Sequence, residues 1–163
     1  MTVLVRSGSK RDLPFLELML HQAVHWRGVE DPSLDRGPAL AERQRLLENW
    51  GREGDTAVIA EQASRPVGAA WYRFWTDGDH SYGYLSSEIP ELAIGVVPHH
   101  RRQGLGRRLI DALLEEAARQ AVGQVSLSVE RDNPALSLYR AAGFRMAAVV
   151  GNAYTMVADT RRN

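Results

Sequence analysis

The segment from Glu91 to Val122 restricts the fold of this chain more than any other part of it. Residues 91–97 (ELAIGVV) form an apolar run that predicts a buried strand. After Pro98 and an arginine-rich loop, apolar residues recur at i, i+3, i+4 and i+7 from Gly104 to Val122, which predicts a long amphipathic helix. A buried strand that leads into such a helix predicts an α/β domain.

The hydrophobic periodicity of the rest of the chain predicts a mixed sheet with the element order β-α-α-β-β-β-α-β-α-β-β. We expect the whole of residues 1–163 to form a single domain, because the sequence shows no repeat, linker or low-complexity segment. Besides Glu91–Val97, strands are predicted at Thr2–Arg6, Thr56–Glu61, Val67–Trp75, Gln124–Val129, Phe144–Val150 and Asn152–Ala158. Besides Gly104–Val122, helices are predicted from the S-x-x-D capping box at Ser9 and Asp12 to Val24, from Ala39 to Trp50, and at Pro134–Ala142.

Composition excludes several classes of protein. The chain has 163 residues, 20 Lys+Arg against 20 Asp+Glu, and no cysteine. The zero net charge argues against a nucleic-acid partner, and the absence of cysteine excludes a disulfide scaffold and thiolate metal sites. No apolar run approaches the ~20 residues of a membrane span, and the start MTVLVRSGSKRDL has no signal pattern. We therefore expect a cytoplasmic protein with no membrane contact and no metal.

The loop before the long helix breaks a local rule of helix starts. Arg101, Arg102, Arg107 and Arg108 oppose the helix dipole, at typically ~0.3–1 kcal/mol for each cation in the first turn. No acidic residue lies between His99 and Ile110 to neutralise them. Glycines and free N–H groups at a helix start suit a bound anion, so an anion site is favoured over a solvated basic face.

Two motifs indicate which anion this is. A phosphate-binding Walker loop is excluded because G-x-x-x-x-G-K-[ST] is absent, and the dinucleotide fingerprint fails because Leu109 stands where its third glycine belongs. Val96-Val97-Pro98 followed by Arg101-Arg102-Gln103-Gly104-Leu105-Gly106 resembles the cofactor motif of the GNAT superfamily of acetyl-CoA-dependent N-acetyltransferases. Asp132-Asn133-Pro134-Ala135-Leu136-Ser137-Leu138-Tyr139, then Gly143-Phe144, resembles a second motif of that superfamily.

The resemblance implies where acetyl-CoA binds. Its pyrophosphate would lie on the N–H groups of Arg102 to Arg107, and its pantetheine arm along the backbone of Ile94–Val96. The cofactor-binding residues implied are Ile94, Gly95, Val96, Arg101, Arg102, Gln103, Gly104, Leu105, Gly106, Arg107 and Asn133. Two of these have equally good structural explanations: Gly95 also suits tight packing of a helix on the sheet, and Asn133 before Pro134 also suits a helix cap.

The resemblance also implies the catalytic groups. Tyr139 would act as the acid towards the departing thiolate, and a backbone N–H near Val96 would stabilise the developing negative charge. Because proton transfer from a tyrosine with a pKa of ~10 to a thiolate with a pKa of ~8.5 is uphill, we expect Tyr139 to stabilise the thiolate mainly by a hydrogen bond. Glu91 is the candidate base that deprotonates the amine, with Glu88 and His25 as alternatives. Without the motif, Tyr139 would be assigned to the core and Glu91 to the surface.

The stretch from Phe74 to His100 suggests the acceptor side. It contains no Lys or Arg, whereas the acidic residues Asp77, Asp79, Glu88 and Glu91 all lie there. Aromatic residues lie in or beside it or after the first helix, namely Trp26, Trp71, Trp75, Tyr82 and Tyr84. An acidic and aromatic wall suits a cationic amine. A sheet core beside a solvated loop would give the same pattern.

The function predicted is transfer of an acetyl group from acetyl-CoA to a primary amine of a small molecule or peptide, by direct attack in a ternary complex. The alternatives are a non-catalytic acyl-CoA binding or sensing module of the same fold and, less favoured, a nucleic-acid-binding domain. The resemblance also suggests a homodimer. The sequence leaves the acceptor, and the choice between acetyl and longer acyl donors, open.

Overall fold

A computed structural model describes residues 2–29 and 31–161. The strands are β1 (Val3–Ser7), β2 (Thr56–Gln62), β3 (Arg65–Arg73), β4 (Glu91–Val96), β5 (Gln124–Glu130), β6 (Arg145–Val150) and β7 (Ala153–Asp159). The helices are α1 (Leu13–Val24), α2 (Gly37–Gln44), α3 (Leu105–Arg119) and α4 (Ala135–Ala141). Short 3-10 turns lie at Lys10–Asp12, Pro32–Asp35 and Pro98–His100. This order of helices and strands confirms the predicted one.

The strands form one mixed sheet in the order β1-β2-β3-β4-β5-β7-β6. Every neighbouring pair is antiparallel except β4 and β5, which are parallel and are connected through α3. The chain therefore crosses from one half of the sheet to the other only at this parallel junction.

Alternation along the strands supplies a core to each face of the sheet. In β2 and β3, Val58 and Tyr72 belong to the cluster that packs against Leu109 and Leu113 of α3. Their neighbours Ile59 and Trp71 face the other way and pack against Leu16 of α1. All seven of these side chains are at most 5% exposed. The sheet is thus covered on both faces.

The prediction that the second helix extends to Trp50 is wrong, because α2 ends at Gln44 and turns follow. In a longer helix, the carbonyl groups of residues 45 to 48 would accept hydrogen bonds from backbone N–H groups one turn later. Side chains of β3 donate hydrogen bonds to these carbonyl groups instead. Arg73 Nη1 donates to the carbonyl oxygens of Arg45 (2.8 Å) and Glu48 (2.7 Å), and Trp71 Nε1 donates to that of Leu46 (3.3 Å). Arg73 is itself buried against Asp55, with 2.8 Å between Nη2 and Oδ2.

The other differences from the predicted boundaries are small. β3 begins at Arg65 and ends at Arg73, two residues earlier at each end than predicted. The hairpin between β2 and β3 turns through Ala63 and Ser64, both of which have positive φ. The capping box at Ser9 and Asp12 is confirmed, although it opens a 3-10 turn that continues into α1. Among the described residues, none of the helices is both long enough and apolar enough to cross a membrane.

Candidate active site

The parallel junction between β4 and β5 opens into a gap. β4 and β5 pair only at Glu91 and Ser126, whereas β4 pairs with β3 along its whole length from Glu91 to Val96. The N–H of Val97 donates to Val67 on the β3 side, so alternation turns the backbone groups of Ile94 and Val96 towards the gap. An extended ligand placed there can add to the free edge of β4 as another strand would.

A cavity of about 1180 Å³ occupies this gap. Nearly all of the predicted cofactor-binding residues line it: Ile94, Gly95 and Val96 of β4; Arg101, Arg102, Gly104, Leu105, Gly106 and Arg107 of the loop and α3; and Asn133. Both predicted catalytic residues, Glu91 and Tyr139, line it as well. Gln103 does not; its side chain lies 3.4 Å from the carbonyl oxygen of His99 instead.

One end of the cavity is built from free backbone donors. Gly104 caps α3 with φ +80°, and Arg102 also has positive φ, at 61°. Among the described residues, the N–H groups of residues 102 to 107 have no acceptor, and the ladder begins with Arg108 donating to Gly104. Consecutive N–H groups at the N-terminus of a fifteen-residue helix are suited to bind an anion such as the predicted pyrophosphate.

The four arginines of this segment are placed differently from one another. Arg101 bridges the cavity wall, donating to the Val96 carbonyl (3.1 Å) and to Gln22 Oε1 (3.0 Å). Arg107 pairs with Asp111 one turn further along α3, at 3.1 Å. Arg108 donates to the Val3 carbonyl (2.9 Å) and does not line the cavity, so the predicted cluster of four is a cluster of three.

Both structural explanations considered for Gly95 and Asn133 are present. A Cβ on Gly95 would lie 2.4 Å from the carbonyl oxygen of Met19, so close packing of α1 requires this glycine. Asn133 Oδ1 accepts a hydrogen bond from the N–H of Ala135 (2.9 Å) at the start of α4. Each residue also lines the cavity, so packing and ligand contact are compatible at both positions.

Glu91 is a buried carboxyl group at the closed end of the gap, where β4 and β5 meet. It is 4% exposed, Trp75 Nε1 donates to its Oε1 at 2.9 Å, and the N–H of Gly83 donates to it as well. Burial raises the pKa of Glu91 to about 7, against the opposing effect of these hydrogen bonds. A carboxyl group with a pKa near neutrality is suited to accept a proton. Expecting a surface residue here without the motif would have been wrong.

Tyr139 lies in α4 with its ring edge-on to Phe144 at a centroid distance of 6.0 Å. No hydrogen bond joins its hydroxyl group to another described residue, although a buried tyrosine normally has a partner. Burial raises the pKa of Tyr139 to about 12. The hydroxyl group therefore holds its proton and is free to donate a hydrogen bond into the cavity.

The predicted acidic and aromatic wall is only partly formed. Trp26, Tyr82 and Glu91 line the cavity, whereas Trp71 is in the core on the α1 face. Tyr84 stacks on His80, away from the cavity. The stretch is not free of cations in three dimensions either. Arg45, which follows α2, pairs with Asp79 and lies 5.5 Å from the ring centroid of Trp75.

Other residues of the site have no local signal in the sequence. Glu130, the last residue of β5, lines the cavity and pairs at 2.7 Å with Arg27, which follows α1 and lies more than 100 residues away in the sequence. Arg27 also pairs with Asp132 at 2.9 Å. His100 lines the cavity with its Nδ1 buried and unpartnered, while its Nε2 contacts Gln62 at 2.9 Å. These positions depend on tertiary packing, so periodicity and motifs cannot reveal them.

The alternative bases are placed elsewhere. Glu88 is exposed and does not line the cavity. His25 Nε2 contacts Asp35 Oδ1 at 3.1 Å, and His25 does not line the cavity either. Of the three candidates, only Glu91 is both buried and open to the gap.

The profile of the acetyltransferase (GNAT) family matches residues 20–144, and the chain belongs to this family. A mycothiol acetyltransferase of Clavibacter michiganensis is 49% identical over 106 residues, which are 64% of this chain and 31% of that protein. This chain thus spans about a third of the length of that relative. An L-methionine sulfoximine/L-methionine sulfone acetyltransferase of Pseudomonas aeruginosa is 28% identical over 150 residues, covering 90% of this chain and 83% of that protein.

The fold is shared with solved structures of the same family. An N-acetyltransferase (PaiA) of Thermoplasma acidophilum, crystallised in complex with coenzyme A, superimposes with a TM-score of 0.69. The match covers 98% of this chain and 99% of that one at 17% sequence identity. At this identity the match establishes the α/β fold with its mixed sheet, as predicted.

Proposed function

We propose that this protein transfers an acetyl group from acetyl-CoA to a primary amine, by direct attack in a ternary complex. The observation that carries the proposal is the gap between β4 and β5, which runs from the free N–H groups at the start of α3 to the buried Glu91. Acetyl-CoA fits this gap because free N–H groups suit its phosphates and the open edge of β4 suits its pantetheine amides. When bound, acetyl-CoA supplies the acetyl group as a thioester.

The residues proposed to hold acetyl-CoA fall into two groups. The N–H groups of residues 102 to 107, with the side chains of Arg101, Arg102 and Arg107, receive the pyrophosphate. The backbone of Ile94 and Val96 receives the pantetheine arm. Arg101 must release the Val96 carbonyl oxygen that it contacts at 3.1 Å for this strand-like pairing to form. Asn133 and His100, which line the same cavity, are proposed as further contacts.

Glu91 is proposed to remove the proton from the amine. A lysine-like ammonium group has a pKa of ~10.4, so the attacking amine has to lose a proton at neutral pH. With a pKa of about 7, Glu91 is largely ionised above that pH and keeps the proton better than an ordinary carboxyl group. Trp75 and Gly83 hold the carboxylate in place, and Glu91 takes the proton directly or through one water.

Val96 and Tyr139 are proposed to stabilise the negative charge that develops in the reaction. The N–H of Val96 faces the gap and donates to the carbonyl oxygen of the acetyl group. Tyr139 donates a hydrogen bond to the departing sulfur. With a pKa of about 12 for Tyr139 and ~8.5 for a thiol, full proton transfer would be uphill by roughly 5 kcal/mol. Tyr139 therefore stabilises the thiolate by hydrogen bonding, which sharpens the role predicted from the sequence.

The acceptor is proposed to be a small-molecule or peptide amine that enters beside Glu91. This end of the cavity is lined by Glu42 and Glu91 together with Trp26, Tyr82 and Arg43. The two carboxylates and the aromatic rings suit an ammonium group. Since the methionine sulfone relative matches nearly the whole chain, free amino acids and their analogues are the first acceptors to test.

The test is a thiol-release assay with a panel of amines. The chain contains no cysteine, so a thiol reagent detects only released CoA and the background from the protein is zero. We expect turnover with at least one amino acid, polyamine or peptide amine, and none when the acceptor is omitted. Thermal stabilisation by CoA without turnover on any amine would instead identify the non-catalytic acyl-CoA binding module. Longer acyl-CoA donors compared in the same assay establish the donor.

The proposal extends to domain organisation, location and oligomeric state. We infer that residues 1–163 act as one domain in the cytoplasm, where acetyl-CoA is available. We infer also a homodimer through β6, an edge strand whose Met146, Val149 and Val150 are about half exposed. A free apolar edge strand favours pairing with a second copy. Sedimentation of the purified protein, and of a Val149→Lys variant, tests this: a dimer that the substitution dissociates is the expected result.

A further inference from the structure

Three potential ligand groups meet at the C-terminal end of α1, outside the cavity. His21 and His25 lie one helical turn apart, with ring centroids separated by 4.2 Å. The 3-10 turn Pro32–Asp35 brings Asp35 against them, with Oδ1 at 3.1 Å from His25 Nε2 and 3.7 Å from His21 Nδ1. We propose that His21, His25 and Asp35 form a binding site for a divalent transition-metal ion such as Zn²⁺.

The distances fit the geometry that Zn²⁺ requires. Zinc binds imidazole nitrogen and carboxylate oxygen at ~2.0–2.2 Å, and a tetrahedral arrangement then places ligand atoms roughly 3.3 Å apart. The two distances from Asp35 lie on either side of this value, and the three ligand atoms all lie within 4.8 Å of one another. Two histidines and one carboxylate leave the fourth position to water. Small rotations of the side chains are enough to complete the site.

The surroundings of Asp35 also fit a ligand. Arg43 Nη1 donates to Asp35 Oδ1 at 2.6 Å, whereas Oδ2 has no partner among the described residues. Since a carboxylate oxygen has more than one lone pair, Oδ1, the oxygen that faces both imidazoles, can bind a metal ion and keep its hydrogen bond from Arg43, as metal-bound carboxylates commonly do. The guanidinium group holds the carboxylate in place but opposes a second positive charge, so we expect moderate affinity.

The position of the two histidines on α1 also favours a bound cation. His21 is in the last turn of α1 and His25 is its C-terminal cap, so both lie where the helix dipole favours a cation. An ordinary ion pair with Asp35 would need only one of the two imidazoles. A metal ion accounts for both rings facing the same carboxylate, since neutral imidazoles then bind as ligands.

Metal binding at this site would join α1 to the segment before α2. Leu34, next to Asp35, lines the acceptor end of the cavity, as does Arg43. A bound ion would thus stabilise one wall of that cavity without taking part in the acetyl transfer. The site does not depend on the proposed acetyltransferase activity, because metal binding is measured without either substrate.

The experiment is a Zn²⁺ titration of protein purified without a histidine tag and stripped with a chelator. Calorimetry should give one ion per chain and a higher melting temperature with Zn²⁺ than without it. Substituting Co²⁺ should give the visible absorption of a tetrahedral site. His21→Asn and His25→Asn should each weaken binding at least tenfold, and Asp35→Asn should do the same. His99→Asn, which removes a histidine elsewhere, should leave affinity and stoichiometry unchanged.

Circular dichroism of the metal-free variants separates loss of the site from loss of the fold. Absence of saturable binding at one ion per chain would overturn the proposal. So would equal affinities in the wild type, His21→Asn and His25→Asn, because binding would then take place elsewhere. A variant that fails to fold is replaced by His21→Gln or His25→Gln, with the same outcomes decisive.

Discussion

The two ends of the cavity are built from different parts of the chain. The proposed cofactor end consists mainly of backbone groups from one continuous stretch, the N–H groups of residues 102 to 107 and the open edge of β4. The proposed acceptor end consists of side chains from separate segments, including Trp26, Arg43, Tyr82 and Glu91. A ligand shared by the whole family can be held by backbone, whereas an acceptor particular to this protein needs side chains. Side-chain substitutions should therefore reduce the kinetic constants strongly at the acceptor end and only slightly at the cofactor end.

The largest effect is expected at Glu91. Glu91→Gln keeps the size of the side chain and its hydrogen bond from Trp75 but cannot accept the proton of the amine. We expect kcat/KM for the amine to fall by about 10²- to 10⁴-fold, with little change in the KM for acetyl-CoA. In the wild type, kcat/KM should rise with pH through about 7 as Glu91 ionises. The variant should lose this limb of the profile.

Glu88→Gln is the matched control for that substitution, since Glu88 is exposed and outside the cavity. It should retain both the rate and the pH profile of the wild type. A Glu91→Gln variant with a normal rate and an unchanged acid limb would show that another group, or a water chain, is the base.

Glu91 should also make stability depend on pH. Its pKa is raised from 4.5 to about 7, so the folded state favours the protonated form. The stabilisation relative to an ordinary carboxyl is complete below pH 4.5 and is lost as the pH rises through 7, by roughly 3 kcal/mol. Urea unfolding at pH 5 and pH 8 should therefore show Glu91→Gln becoming more stable relative to the wild type at the higher pH. A difference that does not change with pH would contradict the raised pKa.

An intermediate effect is expected at Tyr139. Tyr139→Phe removes the hydrogen bond to the departing sulfur, and we expect kcat to fall about 10- to 100-fold. Because the hydroxyl group has no partner among the described residues, the melting temperature should not fall. If the variant lost stability and kept its kcat, Tyr139 would be a core residue without a catalytic role.

The smallest effect is expected from a single arginine at the cofactor end. Arg102→Ala should raise the KM for acetyl-CoA only about 2- to 5-fold, because the N–H groups remain in place. Arg108→Ala, at a residue that contacts the Val3 carbonyl and not the cavity, should leave this KM unchanged. An unchanged KM in Arg102→Ala would remove that side chain from the phosphate site. A loss of several orders of magnitude would mean that side chains, not backbone groups, hold the phosphates.

The two ends of the cavity also differ in how well the sequence predicts them. The motif from Arg101 to Gly106 predicted the loop and helix start that line one end of the cavity, because glycine positions and a helix start impose the backbone geometry directly. The acidic and aromatic wall was predicted poorly because Trp71 packs on the α1 side of the sheet, and because Arg45 approaches Trp75 and Asp79 only through tertiary packing. The same reason explains the early end of α2, where Arg73 and Trp71 bind carbonyl groups from a distant strand. Buried interactions between distant residues override a correct local periodicity.

Acetyl-CoA is proposed to bind along β4 and on the start of α3. Amide hydrogen exchange followed by NMR, with and without CoA, tests this proposal most directly. We expect slower exchange at the N–H groups of Ile94, Val96 and residues 102 to 107 when CoA is bound, and no change in β6. Unaltered exchange at these groups with CoA bound, or protection confined to another part of the sheet, would contradict it.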